Sequence, residues 1–181
     1  MNISFEEKIS ALYLCADILD YPTKDYFNKV NNLKKYVGFE VGSLDLEEVE
    51  SEYISTFSIY ASKKKCVPFA SWWLDRKMSG ALFVKIGDFY KSCGYVLDTD
   101  IVSKRLDHVS MIIVFIAILL EDKKYNEARE FNKFLSWLDE FSESLGKASK
   151  IKYFKFAVDI VIEIINSLKE DNCEYECKYN S

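Results

Sequence analysis

Apolar residues return every three or four positions through most of the chain, the spacing that lines one face of an α-helix. Ser4 with Glu7 makes a capping-box pattern, and Phe5, Ile9, Leu12, Tyr13, Ala16 and Leu19 follow at helical spacing, predicting a first helix over about 5–20 that stops at Tyr21-Pro22. Thr23 can cap a second helix through Tyr26, Phe27, Val30, Leu33 and Val37, fading at Gly38 ahead of a turn at Gly42-Ser43. A third begins near Asp45 and carries Leu46, Val49, Tyr53 and Phe57. Between Tyr60 and Leu74 the periodicity fails, and Ala61-Ser62-Lys63-Lys64-Lys65 followed by Pro68 reads as a loop. From about Asp75 a fourth helix carries Met78, Leu82, Ile86 and Phe89 and ends at Gly94. Asp98 or Asp100 then opens a very apolar helix that contains Asp107 and His108. After Glu121-Asp122-Lys123-Lys124, the residues Ala128, Phe131, Phe134, Leu135, Leu138 and Phe141 fit one amphipathic helix closed by Gly146. A last helix is expected from about Ala148 to Leu168, with a polar, fraying tail from Lys169 to Ser181.

The elements describe an all-α protein: a single-domain bundle of about seven or more helices over residues 1–181, with its core in 5–168. No internal repeat or Gly/Ser linker divides it. Six Gly and two Pro in a chain that is 49% hydrophobic and 29% charged suit long helices and short turns. With 24 basic against 29 acidic side chains the net charge is −5, which argues against a nucleic-acid partner, since phosphate binding needs surplus Lys and Arg. The start of the chain carries no basic, apolar secretory leader, and its five cysteines form an odd set, so reduced thiols and a cytoplasmic location are expected. The longest apolar run, Val109 to Leu120, is too short for the roughly 20 residues that span a bilayer, so no membrane span is expected.

Candidate chemistry is sparse. His108 is the only histidine, and Asp107 beside it suggests a general base oriented by a carboxylate. Neighbours on a helix point about 100° apart, however, and no Gly-x-Ser-x-Gly elbow supplies a nucleophile, so a catalytic dyad is disfavoured. Two readings stay open: Asp107 steadies the helix start while His108 packs against Met111 and Ile112, or the pair forms the polar end of a site for a cation beside an apolar group. The run Pro68-Phe69-Ala70-Ser71-Trp72-Trp73 places three large rings within five positions. Adjacent indoles diverge on any regular element, so at least one is expected in a groove or at the surface, with two indoles closing the core as the rival arrangement. Cys173 and Cys177 lie four apart without a second ligand pair, so neither a metal nor another cofactor is expected. Lys63-Lys64-Lys65 reads as a solvated loop tip.

In order along the chain, several segments resemble the TorD/DmsD/NarJ family of redox-enzyme maturation chaperones, also called nitrate reductase delta subunit-like. Glu52-Tyr53-Ile54-Ser55-Thr56-Phe57 resembles the family's Glu-Tyr-x-x-Leu-Phe stretch, and Pro68 to Trp73 its Pro-Tyr-x-Ser-x-Tyr segment. Phe89-Tyr90-Lys91-Ser92-Cys93-Gly94 resembles a Tyr-x-x-x-Gly turn, with the Asp-His pair at the expected distance beyond it. Ala11-Leu12-Tyr13 through Tyr21-Pro22 is similar to the opening helix, and Phe131 to Phe141 to the penultimate one, so the resemblance spans about 5–168. The chief departure is Lys104-Arg105-Leu106-Asp107-His108 where the family often shows Glu-Pro-x-Asp-His; Thr56 for leucine and Trp73 for tyrosine are milder.

The resemblance implies a cytoplasmic chaperone, not an enzyme, that binds the twin-arginine-type leader of a molybdenum-cofactor oxidoreductase until cofactor insertion and folding are complete. It implies that Asp107 meets a leader arginine, that His108 hydrogen-bonds the peptide or orients the site, and that Trp72 or Trp73 meets the apolar stretch. Ser71, Pro68, Phe69, Tyr53 and Phe57 complete the expected peptide groove. A homodimer formed by exchanging helices about residues 60–70 is compatible with this reading. The rival classes are a permanent helical scaffold subunit and a small hydrolase or nucleotide-binding protein using Asp107 and His108.

Overall fold

A computed structural model describes residues 3–37, 44–58, 66–77, 80–96 and 105–179, which form nine α-helices and no strand. Helix α1 (Phe5–Ile18) begins where its capping box predicts, with Ser4 Oγ accepting from Glu7 N at 3.2 Å and Glu7 Oε2 accepting from Ser4 N at 2.7 Å. The same reciprocal device, Asp45 with Glu48, starts α3 (Leu46–Phe57) after α2 (Tyr26–Val37). Helix α6 (Val109–Glu121) is apolar nearly all round and lies in the core, packed against α1. Helix α1 also packs on α2 and on the long α9 (Lys152–Tyr179), which α8 (Leu138–Ala148) covers in turn. Among the described residues no helix is long and apolar enough to cross a membrane.

Two aromatic clusters fill the core. On one side Phe89 and Tyr90 of α5 (Ala81–Ser92) meet Phe115 of α6 and Phe131 of α7 (Tyr125–Phe131), with Tyr90 and Phe115 centred 3.9 Å apart. On the other, Phe57 touches Phe154 and Phe141, and Phe141 in turn touches Trp73 and Trp137. Helix α5 stops at Ser92 and the chain turns at Gly94, close to the expected end, because φ there is +87°, a conformation that costs an L-residue with a Cβ.

Several expectations are corrected. Within the segment read as loop lies a short helix, α4 (Ala70–Leu74), whose hydrogen bonds are completed from a distant part of the chain. The fourth predicted helix starts at Ala81 instead of Asp75, and Asp75 reaches forward so that its carboxylate accepts from Leu82 N at 3.1 Å. Asp107 and His108 are not inside the apolar helix: it begins at Val109, with His108 as its extended N-cap. The single helix expected across 128–146 is broken by a 3-10 turn at Asn132–Leu135, where Trp137 folds its indole back to donate to the Phe134 carbonyl at 2.9 Å. Gly146 does not close α8, which runs on to Ala148; a Cβ there would come within 3.2 Å of the Lys155 side chain. The last helix begins at Lys152 instead of about Ala148, and α9 extends through Tyr179. The turn at Gly38 to Ser43, Lys63-Lys64-Lys65, Met78, Asp98, Asp100, Lys104 and the side chains of Cys173 and Cys177 lie outside the described residues.

Candidate peptide-binding site

Residues 68–71 and 105–110 are drawn together by a short antiparallel contact. Phe69 and His108 face one another as an isolated bridge; Val109 N donates to the Pro68 carbonyl at 2.8 Å and Ala70 N to the Asp107 carbonyl at 2.9 Å. These bonds satisfy backbone groups that a five-residue helix and the start of α6 would otherwise bury unpaired. The Asp107 side chain, fully buried, strengthens the junction: Oδ2 accepts from Ser71 N at 3.3 Å and from the equally buried Ser71 hydroxyl.

Arg105 supplies the counter-charge. Its Nε donates to Asp107 Oδ1 at 2.9 Å and its Nη2 to Oδ2 at 3.0 Å, the two-pronged pairing in which a guanidinium fork matches a carboxylate. Nη2 lies 3.1 Å from Ser71 Oγ as well, and the guanidinium carbon sits 4.7 Å from the centre of the Phe69 ring and 5.5 Å from that of Phe83. The Tyr90 hydroxyl donates to the Leu106 carbonyl at 3.1 Å; burial, and then the nearby Asp107 charge, push that phenol's pKa up, so it stays protonated and able to donate.

His108 serves the helix. Its Nδ1 accepts from Ser110 N at 3.3 Å and lies 2.8 Å from Ser110 Oγ, which leaves the neutral ring's proton on Nε2. The ring stands edge-on to Phe69, with centres 5.3 Å apart. Neither Asp107 carboxylate oxygen orients this imidazole through a hydrogen bond to Nδ1, which Ser110 engages, so the two residues do not form a triad-like dyad.

The expected groove residues thus divide. Pro68, Phe69, Ser71, Asp107 and His108 come together in one cluster. Trp72 is half-buried, while Trp73 is 7% exposed, donates its indole N–H to the Val67 carbonyl at 2.7 Å and stacks on Trp137. Phe57 is core, and Tyr53 packs between Tyr21, Phe57 and Phe154; both belong to the aromatic layer behind Trp73, not to the Asp107 cluster. Sequence reasoning placed no role on Ser110, Phe83 or Tyr90, and read Arg105 only as a departure from the family's pattern. The i, i+2 spacing of Arg105 and Asp107 was the available signal; it brings two side chains together in a turn but not on a helix.

A sequence profile for the nitrate reductase delta subunit matches residues 23–147, which run from the approach to α2 through nearly all of α8 and include both halves of the bridged cluster. The chain belongs to the nitrate reductase delta subunit family. This is the family of redox-enzyme maturation chaperones that its motifs resemble. The delta-subunit fold agrees with that of a crystal structure from Archaeoglobus fulgidus, described as a candidate redox enzyme maturation protein. The TM-score is 0.63 at 25% identity, covering 84% of this chain and 90% of that one. No curated protein matches the chain.

Proposed function

We propose that this delta-subunit family chain acts in the cytoplasm, binding the N-terminal, twin-arginine-type leader of a molybdenum-cofactor oxidoreductase and holding it while the enzyme acquires its cofactor and folds. The observation that carries the reading is the pairing at Asp107: a buried carboxylate engages a guanidinium through both oxygens, beside the half-buried rings of Phe69 and Phe83. A leader of this class offers arginines followed by an apolar stretch, and the same chemistry serves both parts. The roles follow from position: Asp107 takes a leader arginine, Ser71 and Pro68 hold the carboxylate and its backbone in place, and Trp72 and Phe69 meet apolar side chains. His108 orients the cluster by fixing the start of α6. Trp73, Phe57 and Tyr53 support the aromatic wall from behind.

Titration calorimetry with a synthetic leader carrying two arginines and an apolar stretch tests this. Asp107→Ala should weaken binding, by at most the about 1.5–3 kcal/mol of a charge-assisted bond; affinity equal to that of the wild type would remove Asp107 from the site. Co-purification with a mature oxidoreductase at fixed stoichiometry would instead make the chain a permanent subunit.

A further inference from the structure

The carboxylate best placed to receive a leader arginine is already filled from within. Arg105 binds both Asp107 oxygens, reaches Ser71 Oγ at 3.1 Å and lies over the faces of Phe69 and Phe83. A planar fork on a carboxylate, with aromatic faces against the cation, selects a guanidinium over an ammonium, which is more strongly hydrated and offers no matching pair of donors. The Arg105 side chain is 27% exposed while that of Asp107 is 0% exposed, so the guanidinium is part of the cover between the carboxylate and water.

The rest of the pocket is anchored independently of Arg105. The Asp107 carbonyl accepts from Ala70 N, and its Oδ2 accepts from both the amide and the hydroxyl of Ser71. Leu106, between the two charged residues, is held by the Tyr90 hydroxyl on its carbonyl; its side chain rests against Gly87, where a Cβ would come within 3.2 Å of Leu106 Cδ1. A swing of the Arg105 side chain would leave these bonds intact and uncover a carboxylate still held in place by Ser71.

We propose that Asp107, Ser71, Phe69 and Phe83 form a guanidinium receptor that Arg105 fills in cis, and that a peptide arginine enters by displacing it. The displacement step rests on the leader reading above; the receptor itself does not. Because one residue separates Arg105 from Asp107, its effective concentration at the site is high, and an incoming arginine gains only what exceeds the cis pairing. The cis arginine therefore lowers leader affinity and penalises peptides that bring no guanidinium of their own.

Chemical rescue of Arg105→Ala tests the receptor. Methylguanidinium at about 20 mM should raise the Tm of this variant by several degrees more than methylammonium at equal ionic strength, as a ligand of the folded state does. It should have no such selective effect on the wild type or on Arg105→Ala combined with Asp107→Asn. Equal responses of Arg105→Ala to the two cations would overturn the receptor. In calorimetry, Arg105→Ala should bind the two-arginine leader about tenfold more tightly than the wild type does, and the gain should vanish when the leader's arginines are replaced by glutamine. Selective rescue with no gain in leader affinity would overturn displacement. Selective rescue with a leader that binds neither protein would overturn the leader reading and leave the receptor standing. Should Arg105→Ala fail to fold, Arg105→Lys carries both comparisons, since a lysine keeps the charge but cannot span the two carboxylate oxygens.

Discussion

Trp72 and Trp73 are neighbours with different work, and the difference is set by what each indole can reach. Trp73 finds the Val67 carbonyl for its N–H and the Trp137 face for its ring, so it is core; Trp72, one position before it, stays half-buried. The divergence itself followed from adjacency, but which indole turned inward depended on Trp137 and Phe141, more than sixty residues away. Trp73→Ala should therefore cost about 3–5 kcal/mol in urea unfolding, the usual loss for a buried large ring, and leave any remaining folded protein able to bind leader. Trp72→Ala should cost under about 1 kcal/mol while weakening leader binding. A Trp72 variant with wild-type affinity would exclude that ring from the contact surface.

At the scale of elements, caps explain what periodicity could not. Ser4 with Glu7 and Asp45 with Glu48 are local pairs, legible because a helix start is written within four residues. The start of α6 was misplaced because the apolar pattern says nothing about where the backbone leaves the helix, and histidine is not among the favoured caps. Its N-terminus is decided by the bond from Val109 N to Pro68 O and by His108 Nδ1 on Ser110 N. His108→Ala should lower stability by about 1 kcal/mol, read as a shift in the urea midpoint, whereas His108→Asn should retain most of it by keeping an acceptor at the cap. Equal losses in the two variants would mean that His108 acts through packing on Phe69 and not as a cap. Helix α4 shows the same principle: five residues hold a helix because Asp107 supplies acceptors for Ala70 N and Ser71 N from another part of the chain.

For the whole molecule, α6 is tied at its far end by two phenols. The Tyr13 hydroxyl of α1 donates to Glu121 Oε2 at 2.8 Å, and the Tyr95 hydroxyl, just beyond α5, donates to Asp122. Burial first and the hydrogen-bonded carboxylate second push each phenol up from 10.0 to about 12. A phenol raised in the folded state stabilises fully below its unfolded value, so this contribution should be intact at neutral pH and disappear as pH rises from about 10 to about 12. Tyrosinate absorbance of the folded protein should lag behind that of the urea-unfolded chain, helicity should fall over the same window, and Tyr13→Phe should narrow the lag. Coincident titrations of folded and unfolded protein would contradict it. The helical class, the acidic surface balance and the family were all legible in the chain, because helix periodicity and motif order are properties of near neighbours. Tertiary structure alone decided that Phe57 belongs to the core with Tyr53 packed on it, that His108 ends a turn instead of lying within a helix, and that Arg105 occupies Asp107. The physical reason is separation: the Ser71 to Asp107 bond joins residues 36 apart. No local spacing encodes which of several buried polar groups will find one another when the core closes.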